Sequence, residues 1–176
     1  MFTAIKTVGE MGEFALIDRL QRILPKNLGE TVIHGVGDDT AVIGIDDHRA
    51  LLITCDIQVE DRHFRLKYIS PYQLGQRAMA VNLSDIAAMG GTPTYALVSL
   101  GLPNSFPLNA YDQLFEGMKD ELSIYSSAIV GGNLARTEDK LIIDITLLGE
   151  ISRNQVITRS GAQEGDRIFV TGTLGA

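Results

Sequence analysis

Apolar residues recur along the chain at two spacings, one typical of amphipathic helices and one typical of strands. Residues 12–24 have apolar side chains at steps of three and four, and Pro25 ends the run, so this segment predicts a helix. Its apolar face consists of Phe14, Ile17, Leu20 and Leu24. Residues 108–125 show the same spacing and predict a second amphipathic helix.

A third helix is marked by the residues at its two ends. Ser70 suits an N-cap, Pro71 suits the first helical position, and Gln73 completes a capping box three residues after the cap. The helical pattern continues to about Met89, and the glycine pair at 90–91 predicts the end of the helix.

Short apolar runs between turn residues predict the strands. These runs are residues 40–45, 50–57, 94–102, 128–133, 141–151 and 167–172. Asp46-Asp47 predicts a hairpin turn, and the glycine pair at 131–132 predicts a turn that closes the fourth run. Residues 141–148 are apolar on both faces, and three or four helices are too few to cover both faces of a sheet. The second face therefore meets either the sheet of a second copy, in a homodimer, or a further C-terminal portion.

Length and charge restrict the possible classes of function. The chain has 176 residues, which suits one domain with a sizeable core. With 15 basic and 22 acidic residues its formal charge is −7, which disfavours binding to nucleic acid or to an anionic membrane. No apolar stretch reaches the roughly 18 residues of a membrane helix, and the N-terminus lacks the pattern of a signal peptide. Cys55 is the only cysteine, which excludes an internal disulfide and disfavours a cysteine-based metal site, so the cytoplasm is the expected location.

Asp85 is informative because it lies where a charge is costly. Residues 78–89 are apolar on nearly all sides of the predicted helix, and Asp85 is the only charged residue among them, with Asn82 one turn earlier. Burying an unpaired carboxylate costs several kcal/mol. Two interpretations are equally open: a bound metal ion compensates the charge, or the carboxylate caps a neighbouring backbone turn.

Three further carboxylates are expected near a common point. Asp38 and Asp39 precede the first strand of the predicted hairpin and Asp56 ends the second, so strand pairing brings them together. Asp85 would be a fourth. Their mutual repulsion favours a bound cation. Because the available ligands are carboxylate, hydroxyl and carbonyl oxygens, Mg²⁺ together with phosphate is preferred over Ca²⁺.

Other polar residues allow both a structural and a functional interpretation. The segment Val130-Gly131-Gly132-Asn133 lets backbone N–H groups approach a phosphate, although most Gly-Gly pairs are only turns. Arg159 is either a surface charge or an anion contact, and His63 lies in a polar loop, where a histidine is usually solvated. Cys55 is interpreted as a small core residue of its strand rather than as a nucleophile.

Several short motifs follow one another in a characteristic order. They are Gly12-Glu13-Phe14, Gly35-Val36-Gly37-Asp38-Asp39, Thr54-Cys55-Asp56 with His63-Phe64, Ala78 to Gly90 (AMAVNLSDIAAMG), Gly131-Gly132-Asn133, and Thr158-Arg159-Ser160-Gly161-Ala162. Over nearly the whole chain this set resembles the N-terminal domain of the thiamine-monophosphate kinase family. That family belongs to a larger ATP-binding group that includes aminoimidazole ribonucleotide synthetase and selenophosphate synthetase.

The resemblance implies a reaction and a set of site residues. The reaction is transfer of the γ-phosphoryl group of ATP to thiamine monophosphate, with catalysis by positioning and Mg²⁺ and with no catalytic side chain in a covalent role. Together with the acidic residues discussed above, the expected metal-binding residues are Asp38, Asp39, Thr54, the backbone of Cys55, Asp56, Asp85 and Asn133. The expected nucleotide contacts are Gly131, Gly132, Asn133 and Arg159, and the expected substrate contact is His63.

The resemblance also implies an architecture. It is an α+β domain with a mixed four-stranded sheet, helices on one face, and a partner subunit on the other face, giving a barrel-like homodimer. Residues 1–176 would form the N-terminal ATP- and Mg²⁺-binding and dimerisation domain. The family continues into a second domain after the position of Ala176, so the isolated chain is expected to be inactive.

Two segments of the chain depart from the family pattern, and two other functions stay open. Asn133 replaces an aspartate, which predicts a weakened Mg²⁺ site, and Asp61-Arg62 replaces a glycine and a smaller residue near His63. One alternative is a related ATP-using synthetase or paralogue with another phosphorylated substrate. The other is a non-catalytic, metal-binding dimerisation module. Selenophosphate synthetase is disfavoured, because no cysteine lies in the N-terminal glycine-rich region.

Overall fold

The computed structural model describes residues 7–25, 27–170 and 172, and it shows an α+β fold built on one mixed sheet. In chain order the elements are α1 (Glu13–Ile23), β1 (Val32–His34), β2 (Ala41–Gly44), β3 (Arg49–Val59), α2 (Pro71–Ala88), β4 (Thr92–Pro103), α3 (Leu108–Ser123), β5 (Ala128–Thr137) and β6 (Ile142–Ser152). Short 3₁₀ turns lie at Val8–Glu10 and Arg153–Gln155. Within the described ranges, no helix combines the length and hydropathy needed to cross a membrane.

The sheet has six described strands in the order β1-β2-β3-β6-β4-β5, rather than the four that the resemblance implies. Strands β4 and β5 run parallel, and every other neighbouring pair is antiparallel. The difference arises at the two edges, because the short strand β1 pairs with β2 and β5 pairs with β4 along its whole length.

Strand β6 lies inside the sheet, and its two faces have different surroundings. Leu141, Ile143, Ile145 and Leu147 are fully buried. The residues between them, Ile142 and Leu148 included, are only partly buried. The alternation shows that this strand is fully buried on one side only, which is the side on which α2 packs. The uncovered side is called the open face below.

Helix α2 begins as its sequence predicts and packs tightly on α3. The Gln73 backbone N–H donates to Ser70 Oγ at 3.2 Å, and the Gln73 side chain accepts from the Ser70 backbone N–H at 3.2 Å, which completes the capping box. A Cβ atom placed on Gly75 or Gly117 would lie 2.0 Å from a backbone oxygen of the facing helix. The two helices therefore approach each other closely at these glycines.

Helix α1 forms as predicted, but its apolar face is not buried. No residue of α1 is buried, and the Phe14 side chain is 80% exposed. The helix lies beside the loop that precedes β2, where the Gln21 side chain donates a hydrogen bond to the Val36 carbonyl at 2.9 Å. A cavity, described below, separates it from β1 and β2.

Two strand predictions need correction. The run at 167–172 forms no strand within residues 167–170, which are exposed, and Thr171 lies outside the described residues. The glycine pair at 131–132 does not end its strand, because β5 continues to Thr137 through parallel pairing with β4. Apolar composition alone predicted the first of these, whereas a strand also needs a neighbour to satisfy its backbone groups.

Candidate functional site

The pairing of β2 with β3 brings the predicted acidic residues together. Ala41 faces Ile53 in this hairpin, so Asp38 and Asp39, just before β2, lie beside the Thr54–Asp56 segment of β3. Asp38, Asp39 and Asp56 are each partly buried. The hairpin therefore produces the convergence that the order of the residues along the chain predicted.

Asp85 joins this group from helix α2. The Thr54 hydroxyl donates a hydrogen bond to Asp85 Oδ2 at 2.6 Å, so the carboxylate is held by a side chain of β3 rather than by a backbone turn. Burial raises the pKa of Asp85, the Thr54 hydrogen bond lowers it, and the negative charges of Asp56 and Asp39 raise it further. The raised pKa records chiefly the burial of the Asp85 carboxylate, with a smaller contribution from the neighbouring negative charges.

Arg159 is the cation that faces this acidic group. Its guanidinium forms a hydrogen-bonded ion pair with Asp39, and its backbone N–H lies 3.3 Å from both carboxylate oxygens of Asp38. The Asp39 contact raises the pKa of Arg159 above its usual value. One guanidinium balances only part of the charge of four carboxylates, so the site favours a further cation.

The donor atoms suit a hard divalent cation, but they do not form a closed ligand set in this arrangement. Carboxylate and hydroxyl oxygens are ligands that Mg²⁺ accepts. Within the described part of the chain, no three His, Cys, Asp or Glu side chains are grouped closely enough to hold a metal ion. Asp39 is engaged by Arg159 and Asp85 by Thr54. The residues fit Mg²⁺ in chemistry, with additional ligands to be supplied from outside the group, for which phosphate oxygens are suitable.

The prediction that Cys55 is a core residue is wrong. It lies between Thr54 and Asp56 in β3, so its side chain points to the opposite face of the sheet, the open face, where it is exposed. Its thiol donates to Asp144 Oδ1 at 3.1 Å. Partial burial and this hydrogen bond raise the pKa of the thiol, which disfavours the reactive thiolate.

His63 lies in the turn that follows β3. The Val59 backbone N–H donates to His63 Nδ1 at 2.9 Å, and the Arg77 guanidinium donates to the His63 backbone carbonyl at 2.8 Å. Because Nδ1 accepts a hydrogen bond, the neutral ring carries its proton on Nε2. From Cys55 to Val59 the strand advances about 13 Å, so His63 lies well away from the acidic group.

The glycine pair and Asn133 lie on the far side of the sheet. Gly132 faces Val98 in β4, and strands β6 and β4 separate β5 from β3. Three strand spacings correspond to roughly 14 Å. A Cβ atom on Gly132 would lie 1.8 Å from the Val98 carbonyl oxygen, so close backbone contact already requires glycine there.

Two features of the site were missed from the sequence. One is Asp144 of β6, which accepts the hydrogen bond from the Cys55 thiol of β3; a signal for it was present, since it is the one charge in the apolar run 141–149. The other is a cavity of about 740 Å³ between α1 and the β1–β2 region, which ends at Asp39 and Arg159. No sequence signal shows that cavity.

The predicted residues that the structure brings together are Asp38, Asp39, Thr54, Asp56, Asp85 and Arg159. Those that lie elsewhere are His63, Gly131, Gly132 and Asn133.

The amino-acid sequence matches a family model and several known proteins. Residues 37–151 match the family model described as AIR synthase related protein, N-terminal domain. The thiamine-monophosphate kinase of Bacillus subtilis is 39% identical over 167 residues, and that of Aquifex aeolicus is 39% identical over 166 residues. Each match covers 94% of this chain and 50% of the relative, so the chain spans about half the length of the curated relatives it matches.

A solved structure shows the same fold over most of the chain. The structure named AaThiL complexed with AMPPCP and TMP superposes with a TM-score of 0.80 at 34% identity. The match covers 92% of this chain and 48% of that one. The thiamine-monophosphate kinase structure from Stenotrophomonas maltophilia gives a TM-score of 0.62 at 30% identity, covering 87% of this chain and 46% of that one. From the family match and this shared fold, we conclude that the chain belongs to the AIR synthase related protein family. The part of that family that it matches is the N-terminal domain.

Proposed function

We propose that this chain is the nucleotide- and Mg²⁺-binding half of a thiamine-monophosphate kinase. The whole enzyme would transfer the γ-phosphoryl group of ATP to the phosphate of thiamine monophosphate. One observation supports this most strongly: Asp39, Asp56 and Asp85 come together beside Arg159. The printed names of the relatives, and of the structure complexed with AMPPCP and TMP, supply the substrates.

In the proposed reaction an oxygen of the acceptor phosphate forms a bond to the γ-phosphorus of ATP. The bond from that phosphorus to the β,γ-bridging oxygen breaks, and ADP leaves. Bound Mg²⁺ supplies neutralisation of the phosphate charges. The metal would be held by Asp38, Asp39, Asp56 and Asp85, with Thr54 and the Cys55 backbone as neutral donors and with Asn133 contributed through the dimer proposed below.

The chain's own residues perform the positioning. Thr54 fixes the Asp85 carboxylate through its hydrogen bond and so fixes the direction of that ligand. Arg159 contacts Asp39 in this structure, and we propose that its guanidinium transfers to phosphate oxygens of the nucleotide. His63, held through its Nδ1 and its backbone carbonyl, presents Nε2–H as a donor to the acceptor substrate.

We also propose a homodimer formed through the open face. Exposed apolar side chains on this face, among them Ile57, Tyr95 and Leu97, would be buried by a second sheet, as in a barrel-like dimer. A dimer contains two copies of the acidic group and two copies of the Gly131–Asn133 segment. We place the nucleotide contacts of that segment in the dimer, because within one chain they lie roughly 14 Å along the sheet from Asp56. The reaction would take place in the cytoplasm.

One alternative has a specific observation in its favour. Asn133 stands where the family pattern has an aspartate, and Asp61-Arg62 changes the turn that holds His63. The first change lies at a residue assigned to the metal and the nucleotide, and the second lies beside the residue assigned to the acceptor, so a paralogue acting on another phosphorylated acceptor is the second candidate. Product analysis with several phosphorylated acceptors distinguishes the two.

The test compares the whole enzyme with two acid-to-amide variants. We expect thiamine diphosphate to form from ATP and thiamine monophosphate, and Asp56→Asn to abolish its formation without changing the circular dichroism spectrum. Asp139→Asn, an exposed acid in the turn between β5 and β6, is the matched control and should keep full activity. Full turnover by Asp56→Asn would refute the metal assignment. The 176-residue chain alone should show negligible turnover.

A further inference from the structure

The turn that follows β3 and carries His63 is closed by its own backbone. The backbone N–H groups of Arg62 and His63 both donate to the Val59 carbonyl, at 3.1 and 2.9 Å. The Asp61 N–H donates to the Phe64 carbonyl at 2.8 Å, and the Phe64 side chain is buried. The turn is therefore anchored at both ends, and the exposed residues lie between the anchors.

The segment just before β6 holds the first part of this turn. The Glu60 N–H donates to the Leu141 carbonyl at 3.0 Å, and the Leu141 N–H donates to the Glu60 carboxylate at 3.0 Å. Lys140 forms an ion pair with the Asp61 carboxylate. These contacts fix Glu60 and Asp61, but none of them involves His63.

Helix α2 supplies a contact to His63 itself. The Arg77 guanidinium donates to the His63 backbone carbonyl at 2.8 Å. In the described part of the chain this is the only hydrogen bond of the Arg77 side chain, and no carboxylate lies within ion-pair distance of it. A charged donor makes a stronger hydrogen bond than a neutral one. The Arg77 side chain is thus committed to the His63 turn rather than to an ion pair.

The ring of His63 is held from the opposite direction by β3. The Val59 backbone N–H donates to His63 Nδ1 at 2.9 Å, which leaves Nε2–H as the free polar group of the neutral ring. A ring held only through Nδ1 could still pivot with its exposed backbone. Because Arg77 holds the carbonyl of the same residue, both the backbone and the ring of His63 are fixed, and so is the direction of Nε2–H.

We propose that Arg77 is a positioning residue for the acceptor substrate, which it orients through His63. This inference rests on the proposed function, because it takes His63 Nε2–H as a donor to the acceptor. Arg77 acts on the acceptor end of the site alone, since Val59 lies about 13 Å along β3 from Cys55, beside the acidic group. Its removal should therefore weaken acceptor binding and leave nucleotide binding unchanged.

Steady-state kinetics of the whole enzyme test this inference, with ATP and thiamine monophosphate varied in turn. Arg77→Ala should raise the KM for thiamine monophosphate roughly 3- to 10-fold, the effect of one hydrogen bond, with kcat and the KM for ATP unchanged. Arg77→Lys keeps a charged donor and should restore most of the acceptor affinity. Arg65→Ala is the matched control, because Arg65 is an exposed cation of the same loop that contacts Asp61 rather than His63. It should leave all three constants unchanged.

A double variant separates action through His63 from an independent effect. His63→Ala should raise the KM for thiamine monophosphate roughly 10- to 100-fold, the range for a hydrogen bond to a charged group. Adding Arg77→Ala to His63→Ala should raise it no further, because the residue that Arg77 positions is already gone.

Amide hydrogen exchange of the 176-residue chain gives a measurement that needs no substrate. The Val59 N–H, whose acceptor is the His63 ring, should exchange faster in Arg77→Ala than in the wild type. The amide of Ile145, a buried residue of β6, should exchange at the wild-type rate, which excludes general destabilisation. Arg65→Ala and Arg77→Lys should leave both amides unchanged.

Three kinetic results would overturn the inference. They are an unchanged KM for thiamine monophosphate in Arg77→Ala, an equal rise of the KM for both substrates, and a further rise when Arg77→Ala is added to His63→Ala. Failure of the proposed function is distinguishable, because the whole enzyme would then form no thiamine diphosphate. Val59 exchange decides in that case: faster exchange in Arg77→Ala would uphold Arg77 as the residue that positions His63, and unchanged exchange would refute it.

Discussion

At the scale of the residue, Asp61 has a backbone conformation that side chains rarely adopt. Its φ angle is +64°, in the left-handed region where glycine is favoured and where aspartate is tolerated better than most residues. Its carboxylate forms a 2.5 Å ion pair with Lys140, which lowers the pKa of Asp61. The turn that holds His63 therefore depends on the backbone of Asp61, while the exposed ion pair adds little.

Three substitutions at this position separate the backbone from the charge. Asp61→Val places a β-branched residue at positive φ and should lower Tm by roughly 2–8 °C. Asp61→Asn removes the charge, but asparagine tolerates the positive φ angle. Asp61→Gly removes the charge and also the strain of a side chain at positive φ. Both variants should therefore unfold near the wild-type temperature in a calorimetric scan. If Asp61→Asn lowered Tm as much as Asp61→Val does, the ion pair would be the interaction that stabilises this turn.

At the scale of the element, the β2–β3 hairpin positions three of the four acids, and its turn is stabilised by Asp46. Hydrogen bonds from the backbone N–H groups of His48 and Arg49, together with the Arg49 side chain, lower the pKa of Asp46 to about 2. The folded pKa lies below the usual value of 3.8, so the ionised carboxylate favours the folded state. This contribution is present above pH 4 and is lost as the pH falls toward 2.

Asp46→Ala should therefore lower the denaturant midpoint at pH 7, and its difference from the wild type should shrink as the pH falls from 4 to 2. Asp47→Ala, at the next position in the same exposed turn, is the control and should show no such pH-dependent difference. Equilibrium unfolding of the three proteins at several pH values measures this. A difference that stays constant between pH 7 and pH 2 would contradict the role of the Asp46 charge.

The helices and the central strands could be predicted because their signals are local. Ser70, Pro71 and Gln73 determine the start of α2 within four residues, and the alternation in β6 follows from its own sequence. The length of β5 could not be predicted, because it depends on pairing with β4. The three residues of β1 give too short a pattern to recognise.

Some features of the candidate site could also be predicted from the sequence, and others could not. The convergence of Asp38, Asp39 and Asp56 follows from hairpin pairing between neighbouring segments. The partner of Asp39 could not be predicted, because Arg159 is 120 residues away in the chain. The distance of Asn133 from this group likewise depends on the order of strands in the sheet, which chain order does not reveal.

For the molecule as a whole, the open face is an apolar surface that the described part of the chain leaves uncovered. Leu97 lies on it in β4, 40% exposed, between Ala96 and Val98, which are buried on the helical side. An exposed apolar surface of this kind on an inner strand favours association with a second copy.

Leu97→Glu should convert the proposed dimer into a monomer of 19.1 kDa, because it places a charge in the proposed interface. Leu108→Glu, at an exposed apolar position outside the sheet, is the control and should stay dimeric. Sedimentation velocity distinguishes these states. A monomeric wild type, or a Leu97→Glu protein that is still a dimer, would contradict the proposed interface.

We propose that carboxylates on β3, α2 and the segment before β2 hold a nucleotide polyphosphate through Mg²⁺. The most direct measurement is calorimetric titration of a non-hydrolysable ATP analogue into the chain, with and without Mg²⁺, for the wild type, Asp85→Asn and the control Asp139→Asn. Binding by the wild type and by Asp139→Asn should require Mg²⁺, and Asp85→Asn should weaken it at least about 10-fold. Equal affinity and equal Mg²⁺ dependence in Asp85→Asn and the wild type would contradict the claim.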